Sequence, residues 1–164
     1  MITGLLIGRF QPFHKGHANA VEYALENCDK LVIIIGSPKN YGTDQNPFSY
    51  GEREKMIKLS LKPSQLKKIR ITSVEDYNNG PKWTSEVEKT RFNIAFSNNP
   101  NVKECLKKHD VKSIPVQIKC NGTEVRRKMY LDQNWKECVH PKVYDYLKEI
   151  NAQKRIKQIL NKKK

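Results

Sequence analysis

His14 and His17 stand three residues apart within the string Gly8-Arg9-Phe10-Gln11-Pro12-Phe13-His14-Lys15-Gly16-His17. On the first turn of a helix that spacing brings both imidazoles to one side. A zinc half-site would need Cys, Glu or Asp close by to complete its ligand set, and none stands beside the pair. Anion binding suits the string better. A helix start offers unpaired N–H groups and a positive dipole end, Arg9 and Lys15 add fixed charge, and Gly16 leaves room for close approach. A second string, Gly122-Thr123-Glu124-Val125-Arg126, has the same physical sense. Gly122 permits a tight turn, the Thr123 hydroxyl can cap a helix or bond a phosphate oxygen, and Arg126 returns to the face of Thr123. Alone, this segment also reads as a capped structural helix with Val125 and Met129 inward. Together, two phosphate-directed helix starts are what a nucleoside triphosphate needs.

These residues require a scaffold, and apolar runs alternate with helical patterns along the chain. That alternation predicts an α/β fold: a Rossmann-like, open, mainly parallel sheet with helices on both faces, in a single domain. Strands are expected at residues 2–8, 30–36, 68–74, 92–96 and 113–119. Helices are expected at 17–27, 52–61, 83–91, 102–108, 124–131 and 142–160. In such a sheet ligands bind at the carboxyl ends of strands, which is where the first string begins. The loop from Gly36 to Ser49 is too long for a minimal connection, and long ordered loops are usually functional.

The ten-residue string resembles the signature of the His-x-Gly-His adenylyltransferases, in the form found in archaeal-type nicotinamide-nucleotide adenylyltransferases. The resemblance continues through Gly36-Ser37, Asn46-Pro47-Phe48-Ser49, Gly51-Glu52-Arg53, Trp83, Ser97-Asn98-Asn99-Pro100 and Gly122-Thr123-x-x-Arg126-x-x-Met129. It covers the chain from Gly4 to about Ile159. Two positions depart from it: Gly80 stands where many relatives carry Asn, and Gln45 where some carry Arg. The resemblance implies transfer of AMP from ATP to nicotinamide mononucleotide, forming NAD and pyrophosphate by direct in-line attack. His14, His17 and Arg126 are then the catalytic candidates. ATP would be held by Gly8, Arg9, Phe10, His14, His17, Asn98, Asn99, Gly122, Thr123 and Arg126. The nicotinamide nucleotide would be held by Ser37, Phe48, Asp76, Asn79 and Trp83, whose flat indole suits stacking on a cationic ring. Mg²⁺ is implied as the cofactor, held by phosphates and water and not by side chains. A homo-oligomer is implied as well.

The chain carries 31 Lys+Arg against 17 Asp+Glu, a formal net charge of +14, which predicts anionic partners. Six basic residues and no acidic one fall in residues 151–164. These are read as a basic helix or tail attached to a nucleotidyltransferase domain over 1–150, either a solvated helix end or a nucleic-acid contact. Nothing aromatic interleaves the tail's charges, which argues against a single-strand stacking platform. A nucleic-acid-binding module would also leave the two histidines and the Gly-Thr-x-x-Arg turn unexplained. Transfer to another phosphorylated acceptor, phosphopantetheine or FMN, is the nearer alternative. Arg9 and Arg126 are the informative cations, with His14 and His17 able to join them. No apolar stretch has membrane-spanning length and no signal peptide is readable, so a cytoplasmic enzyme without membrane partners is expected. Cys28, Cys105, Cys120 and Cys138 form no Cys-x-x-Cys pair and are expected as buried or reduced thiols.

Overall fold

Leu31 to Ile35 is the most apolar run of the chain. In the computed structural model, which describes residues 1–164, it forms a buried inner strand of a parallel sheet. Five strands, β1 (Thr3–Gly8), β2 (Lys30–Gly36), β3 (Ile69–Val74), β4 (Ile94–Phe96) and β5 (Asp110–Lys112), lie in the order β3-β2-β1-β4-β5 with every neighbour parallel. A strand covered on both faces reads as a continuous apolar run and not as an alternation, which is why 31–35 looks as it does. Leu5, Val32, Ile34, Val74, Val87, Ala95 and Leu106 close into one core cluster. Each such Leu, Ile or Val side chain contributes on the order of 1.5–3 kcal/mol by leaving water. The chain lays β2 and β3 on one side of β1, then returns to place β4 on the other. The strand order therefore reverses at β1 and β4, the position where open α/β sheets bind ligands.

Eight helices follow in chain order: α1 (Lys15–Glu26), α2 (Tyr50–Ser60), α3 (Pro63–Leu66), α4 (Gly80–Glu88), α5 (Pro100–Cys105), α6 (Gly122–Tyr130), α7 (Pro141–Glu149) and α8 (Ala152–Asn161), with a 3₁₀ turn at Lys136–Cys138. Many of their starts are written in local chemistry. Asn79, Asn99, Asn121 and His140 each accept a backbone N–H of the following turn, and α4, α5 and α7 carry proline in the first turn. Two compact units result. The sheet unit comprises Met1–Gly8, Asn19–Pro38 and Lys62–Val116; a helical unit comprises Arg9–Ala18, Lys39–Leu61 and Gln117–Lys164. Residues 151–164 thus share a unit with 117–150.

The α/β class and the parallel sheet agree with the sequence reading, and several boundaries do not. The last strand is Asp110–Lys112, and not 113–119, because Pro115 lacks the N–H that a ladder requires. The predicted helix 142–160 is two helices. Asn151 sits between them in the left-handed region (φ 52°, ψ 41°), which asparagine tolerates better than most residues and which ends α7. α4 begins three residues earlier than expected, at Gly80, because Asn79 caps it.

One expectation about cysteine is overturned. Cys120 and Cys138 are joined in a disulfide, with Cα atoms 5.6 Å apart, while Cys28 and Cys105 remain free. The segment carrying α6 and the 3₁₀ turn folds back and brings together two residues that stand 18 apart in sequence, a pairing that no local spacing rule reports. Closing a loop of that length removes about 3 kcal/mol of entropy from the unfolded chain. Reduction, or Cys138→Ser, is therefore expected to lower Tm by several degrees in thermal melts. The Ser variant should melt identically with and without reductant.

Candidate active site

The helical unit holds the first string from Arg9 onward, and its two histidines define how α1 begins. His14 is the residue before the helix. The backbone N–H of His17 donates to His14 Nδ1 at 3.3 Å, and the backbone N–H of His14 donates to His17 Nδ1 at 3.2 Å. This is a reciprocal cap of the kind usually built from Ser/Thr and Glu, here made of two imidazoles. A backbone N–H can only donate, so both Nδ1 atoms accept and both protons sit on Nε2. The rings stack with centroids 3.6 Å apart, and Phe10 packs edge-on to His17 at 4.8 Å. Burial lowers His14 to about 4; burial and the neighbouring His14 take His17 well below its ordinary value. The pair therefore enters the ligand-free site as two neutral Nε2–H donors and not as additional cations, which corrects the sequence reading. Gly16 is required by this packing, since a Cβ there would lie 2.9 Å from the Cys120 carbonyl oxygen and 2.9 Å from the His14 ring.

α6 carries the second helix start singled out in the sequence. Asn121 caps it through Glu124 N–H, leaving the Thr123 hydroxyl and the Arg126 side chain on the turn above. Arg126 donates from Nη1 to the Gln11 carbonyl at 2.6 Å and from Nη2 to Thr123 Oγ1 at 3.4 Å, so both of its partners are neutral. Burial first, and then the charge of Arg9, lower the Arg126 guanidinium, with Asp44 acting in the opposite sense. Arg9, Thr123, Arg126, Asp44 and Gln45 line a cleft of about 450 Å³ that Ile156 and Leu160 of α8 help to wall. Two guanidiniums close enough to repel, in a cleft with a single carboxylate, make a site that favours a polyanion. Asp44 itself is paired with Lys163 at 2.8 Å, which holds its carboxyl below the usual range.

Sequence reasoning missed the residues that fasten these parts. Gln11 is buried and grips Phe48 twice, from Nε2 to the Phe48 carbonyl at 3.0 Å and at Oε1 from the Phe48 N–H at 2.9 Å. Arg53 is fully buried and donates to the carbonyls of Ser49 and Arg9. Its signal was present: Arg53, Met56 and Ile57 fall on one helical stripe, and a charge on an apolar stripe implies fixed partners. Phe48, expected at the nicotinamide nucleotide, is wholly buried, with Arg155 over its ring at 5.8 Å. Asn46 is buried too, and its Oδ1 has no hydrogen-bond partner, a loose end that a bound molecule or a water would satisfy.

Within the sheet unit, the remaining candidates gather at one edge. Gly8 ends β1, Ser37 follows β2, Asp76 lies two residues past β3, and Asn98 and Asn99 follow β4, so all mark the carboxyl ends of parallel strands. Ser37 is buried at φ 50°, and Phe10, in the other unit, has φ 53°; both are strained conformations for these residue types. Asn98 holds Ile114 through both amide atoms, and Asn99 caps α5, so their side chains also have backbone work. Asn79 caps α4. Trp83 is half-buried on that helix and packs against the core cluster.

The cytidylyltransferase-like family model matches residues 5–142. Nicotinamide-nucleotide adenylyltransferase of Saccharolobus solfataricus is 38% identical over 168 residues, covering 98% of each chain, and that of Thermoplasma volcanium is 36% identical, covering 94% of this chain and 90% of its own. Among solved structures, a bifunctional NMN adenylyltransferase/ADP ribose pyrophosphatase from Francisella tularensis, complexed with AMP and a manganese ion, aligns with a TM-score of 0.83 at 27% identity. That alignment covers 98% of this chain and 52% of the other, so this chain spans about half of the bifunctional protein. With a family model over most of its length and relatives aligned nearly end to end, the chain belongs to the cytidylyltransferase-like family and, within it, to the nicotinamide-nucleotide adenylyltransferases.

Proposed function

We propose that the chain transfers the adenylyl group of ATP to the 5′-phosphate of nicotinamide mononucleotide. The phosphate oxygen forms a bond to the α-phosphorus, the bond from that phosphorus to the bridging oxygen breaks, and the electron pair leaves with pyrophosphate. NAD is the other product. An ionised phosphate oxygen is already nucleophilic, so neither a protein base nor a covalent enzyme intermediate is required. The work left to the protein is positioning and stabilisation of charge.

The observation that carries this reading is the pairing, in one unit, of two helix starts that present hydrogen-bond donors and unneutralised guanidiniums. The Nε2–H groups of His14 and His17 donate to triphosphate oxygens, including those that gain charge as the bond to the leaving group lengthens. Arg126 and Thr123 hold the β- and γ-phosphates, with Arg9 assisting and Gly122 allowing close approach of backbone. A Cβ on Gly122 would press to 3.0 Å from the Gln11 carbonyl oxygen and 3.1 Å from Arg126 Nη1. In the sheet unit Gly8, Asn98 and Asn99 serve the adenosine, and Ser37, Asp76, Asn79 and Trp83 serve the nicotinamide nucleotide. Phe48 contributes through its buried ring and its backbone. Phe10 acts in the same way, against His17.

No group of three or more His, Cys, Asp or Glu side chains is placed to hold a metal ion. The residues fit a Mg²⁺ ion that arrives on ATP, with phosphate oxygens and water filling most of its shell and Asp44 the one carboxylate in the cleft. When bound, the ion neutralises phosphate charge. No helix is long and apolar enough to cross a membrane. A cytoplasmic location accords with two highly charged substrates made and used inside cells, and the homo-oligomer implied by the resemblance is open to a light-scattering mass. Residues 1–150 are read as the nucleotidyltransferase domain and 151–164 as part of it.

The direct test supplies ATP with nicotinamide mononucleotide, FMN or phosphopantetheine in parallel. NAD and pyrophosphate are expected in the first arm only; product in another arm alone overturns the assignment. His17→Ala is expected to lower kcat by about 10²–10³-fold while the Kd for ATP changes by less than about threefold, and equal losses in both would remove its transition-state role. A third expectation concerns pH. The unfolded chain takes a proton on His14 near its ordinary value of 6.5, whereas the folded chain does so only at about 4. The unfolded state thus binds more protons in between, and stability falls as pH drops from 6.5 towards 4. His14→Asn, which keeps a capping oxygen, should reduce that slope in denaturant titrations and leave the part due to His17, and nitrogen NMR should show neutral Nε2–H rings for both histidines at pH 7.

A further inference from the structure

The basic segment 151–164 is left over by the chemistry above, yet much of its charge is already committed. Arg155 pairs with Glu52, Lys157 with Asp132 and Lys163 with Asp44. Arg155 differs from the others in what it reaches. Its two terminal nitrogens bind the two oxygens of Glu52 at 2.7 and 2.8 Å, Nη1 also donates to the Pro47 carbonyl at 3.3 Å, and the guanidinium lies over Phe48. Glu52 in turn closes the cap of α2: its Oε2 accepts the Ser49 N–H at 2.9 Å while Ser49 Oγ accepts the Glu52 N–H. Burial alone would raise the Glu52 carboxyl, but Arg155 and the Ser49 N–H outweigh it and hold it ionised.

From that cap two short routes lead to the phosphate cations. Phe48, between Pro47 and Ser49, is bonded twice to Gln11, whose carbonyl holds Arg126. Arg53, the residue after Glu52, is bonded to the carbonyl of Arg9. All these residues belong to one unit, and Arg155 is absent from the cleft lining. We propose that Arg155 is a positioning residue for adenylyl transfer, acting through Glu52 and the α2 cap to set where the Arg126 and Arg9 guanidiniums stand. On this view α8 is part of the catalytic apparatus. The inference rests on the assignment of Arg126 to the phosphates.

Inorganic tripolyphosphate is a suitable probe, because it reports on cation placement without the base or the second substrate. Arg155→Met is expected to weaken its binding about tenfold by calorimetry, although Arg155 lies outside the cleft, and Arg155→Lys, which keeps a charge for Glu52, should recover part of that loss. Arg126→Met should weaken binding at least as much. The double variant Arg155→Met/Arg126→Met should bind scarcely worse than Arg126→Met alone, whereas Arg155→Met combined with Trp83→Ala should show independent effects. A residue that merely stabilises the fold would lower Tm without coupling to Arg126. Losses that multiply in the double variant, or unchanged binding by Arg155→Met, would overturn the proposal. If Arg155→Met does not fold, Arg155→Lys carries the same cycle. Tripolyphosphate binding that ignores Arg126→Met would instead bring down the phosphate assignment, and this inference with it, which is a distinguishable result.

Discussion

Gln11 carries more of this site than any residue with obvious chemistry. Its carboxamide is locked to the Phe48 backbone by a donor and an acceptor bond, and its carbonyl receives the Arg126 guanidinium. A buried amide that uses both ends on the backbone N–H and C=O of one residue cannot rotate without leaving a donor and an acceptor unsatisfied, at a cost of about 1–3 kcal/mol for each. The turn that leads from β1 into α1 is thereby fixed from both sides. The His14/His17 cap then sets the direction of α1, and the Arg126 contact places α6 against the same turn. Three stretches far apart in sequence share one hub, which allows small side-chain donors to be held at the tolerances that phosphoryl chemistry requires.

Electrostatically the cleft is built to be unsatisfied without ligand. Arg126 has only neutral hydrogen-bond partners, burial and then Arg9 depress its pKa, and the one carboxylate in the lining, Asp44, is shared with Lys163. Like charges held together cost stability, and an arriving polyanion relieves that cost while it gains hydrogen bonds. The histidines follow a different rule. Their Nδ1 atoms are occupied by backbone N–H groups and burial opposes protonation, so they offer directed donors without adding to the repulsion. Charge and direction are therefore supplied by different residues.

What was legible in the sequence follows from the range over which each interaction acts. The two helix starts could be read because a cap, a glycine and a charge three residues on are local features, and the buried strand 31–35 could be read from its unbroken apolar run. The fastenings could not. Arg53 meets Arg9 across 44 residues, Arg155 meets Glu52 across 103, and Arg126 meets Gln11 across 115. The Cys120–Cys138 bond was likewise invisible, because it depends on how α6 and the following turn fold back. Pro115 was the informative residue against a strand at 113–119, but an apolar alternation in Ile114, Val116 and Ile118 competed with it, and the chain leaves Val116 and Ile118 exposed.

The net charge of +14 is a sum over unlike roles, and separating them changes what it means. Surface pairs such as Lys58–Glu54, Lys89–Glu86 and Lys107–Glu104 lie within single turns, where solvent screening leaves exposed ion pairs little influence on stability. In residues 151–164, Arg155, Lys157 and Lys163 are each matched by a carboxylate from another segment, and Lys164 lies over Tyr130. A strip evolved to track a nucleic-acid backbone would leave its cations free to release counterions. Here Arg155, Lys157 and Lys163 fasten the segment to α2 and the loop before it and to the turn after α6. Helix α8 contributes Ile156 and Leu160 to the wall of the cleft that Arg9 and Arg126 line. The charge excess that remains is general attraction for anions, whereas on the proposed reading recognition falls to the Arg9 and Arg126 guanidiniums and two neutral imidazoles, with Arg126 held by uncharged partners.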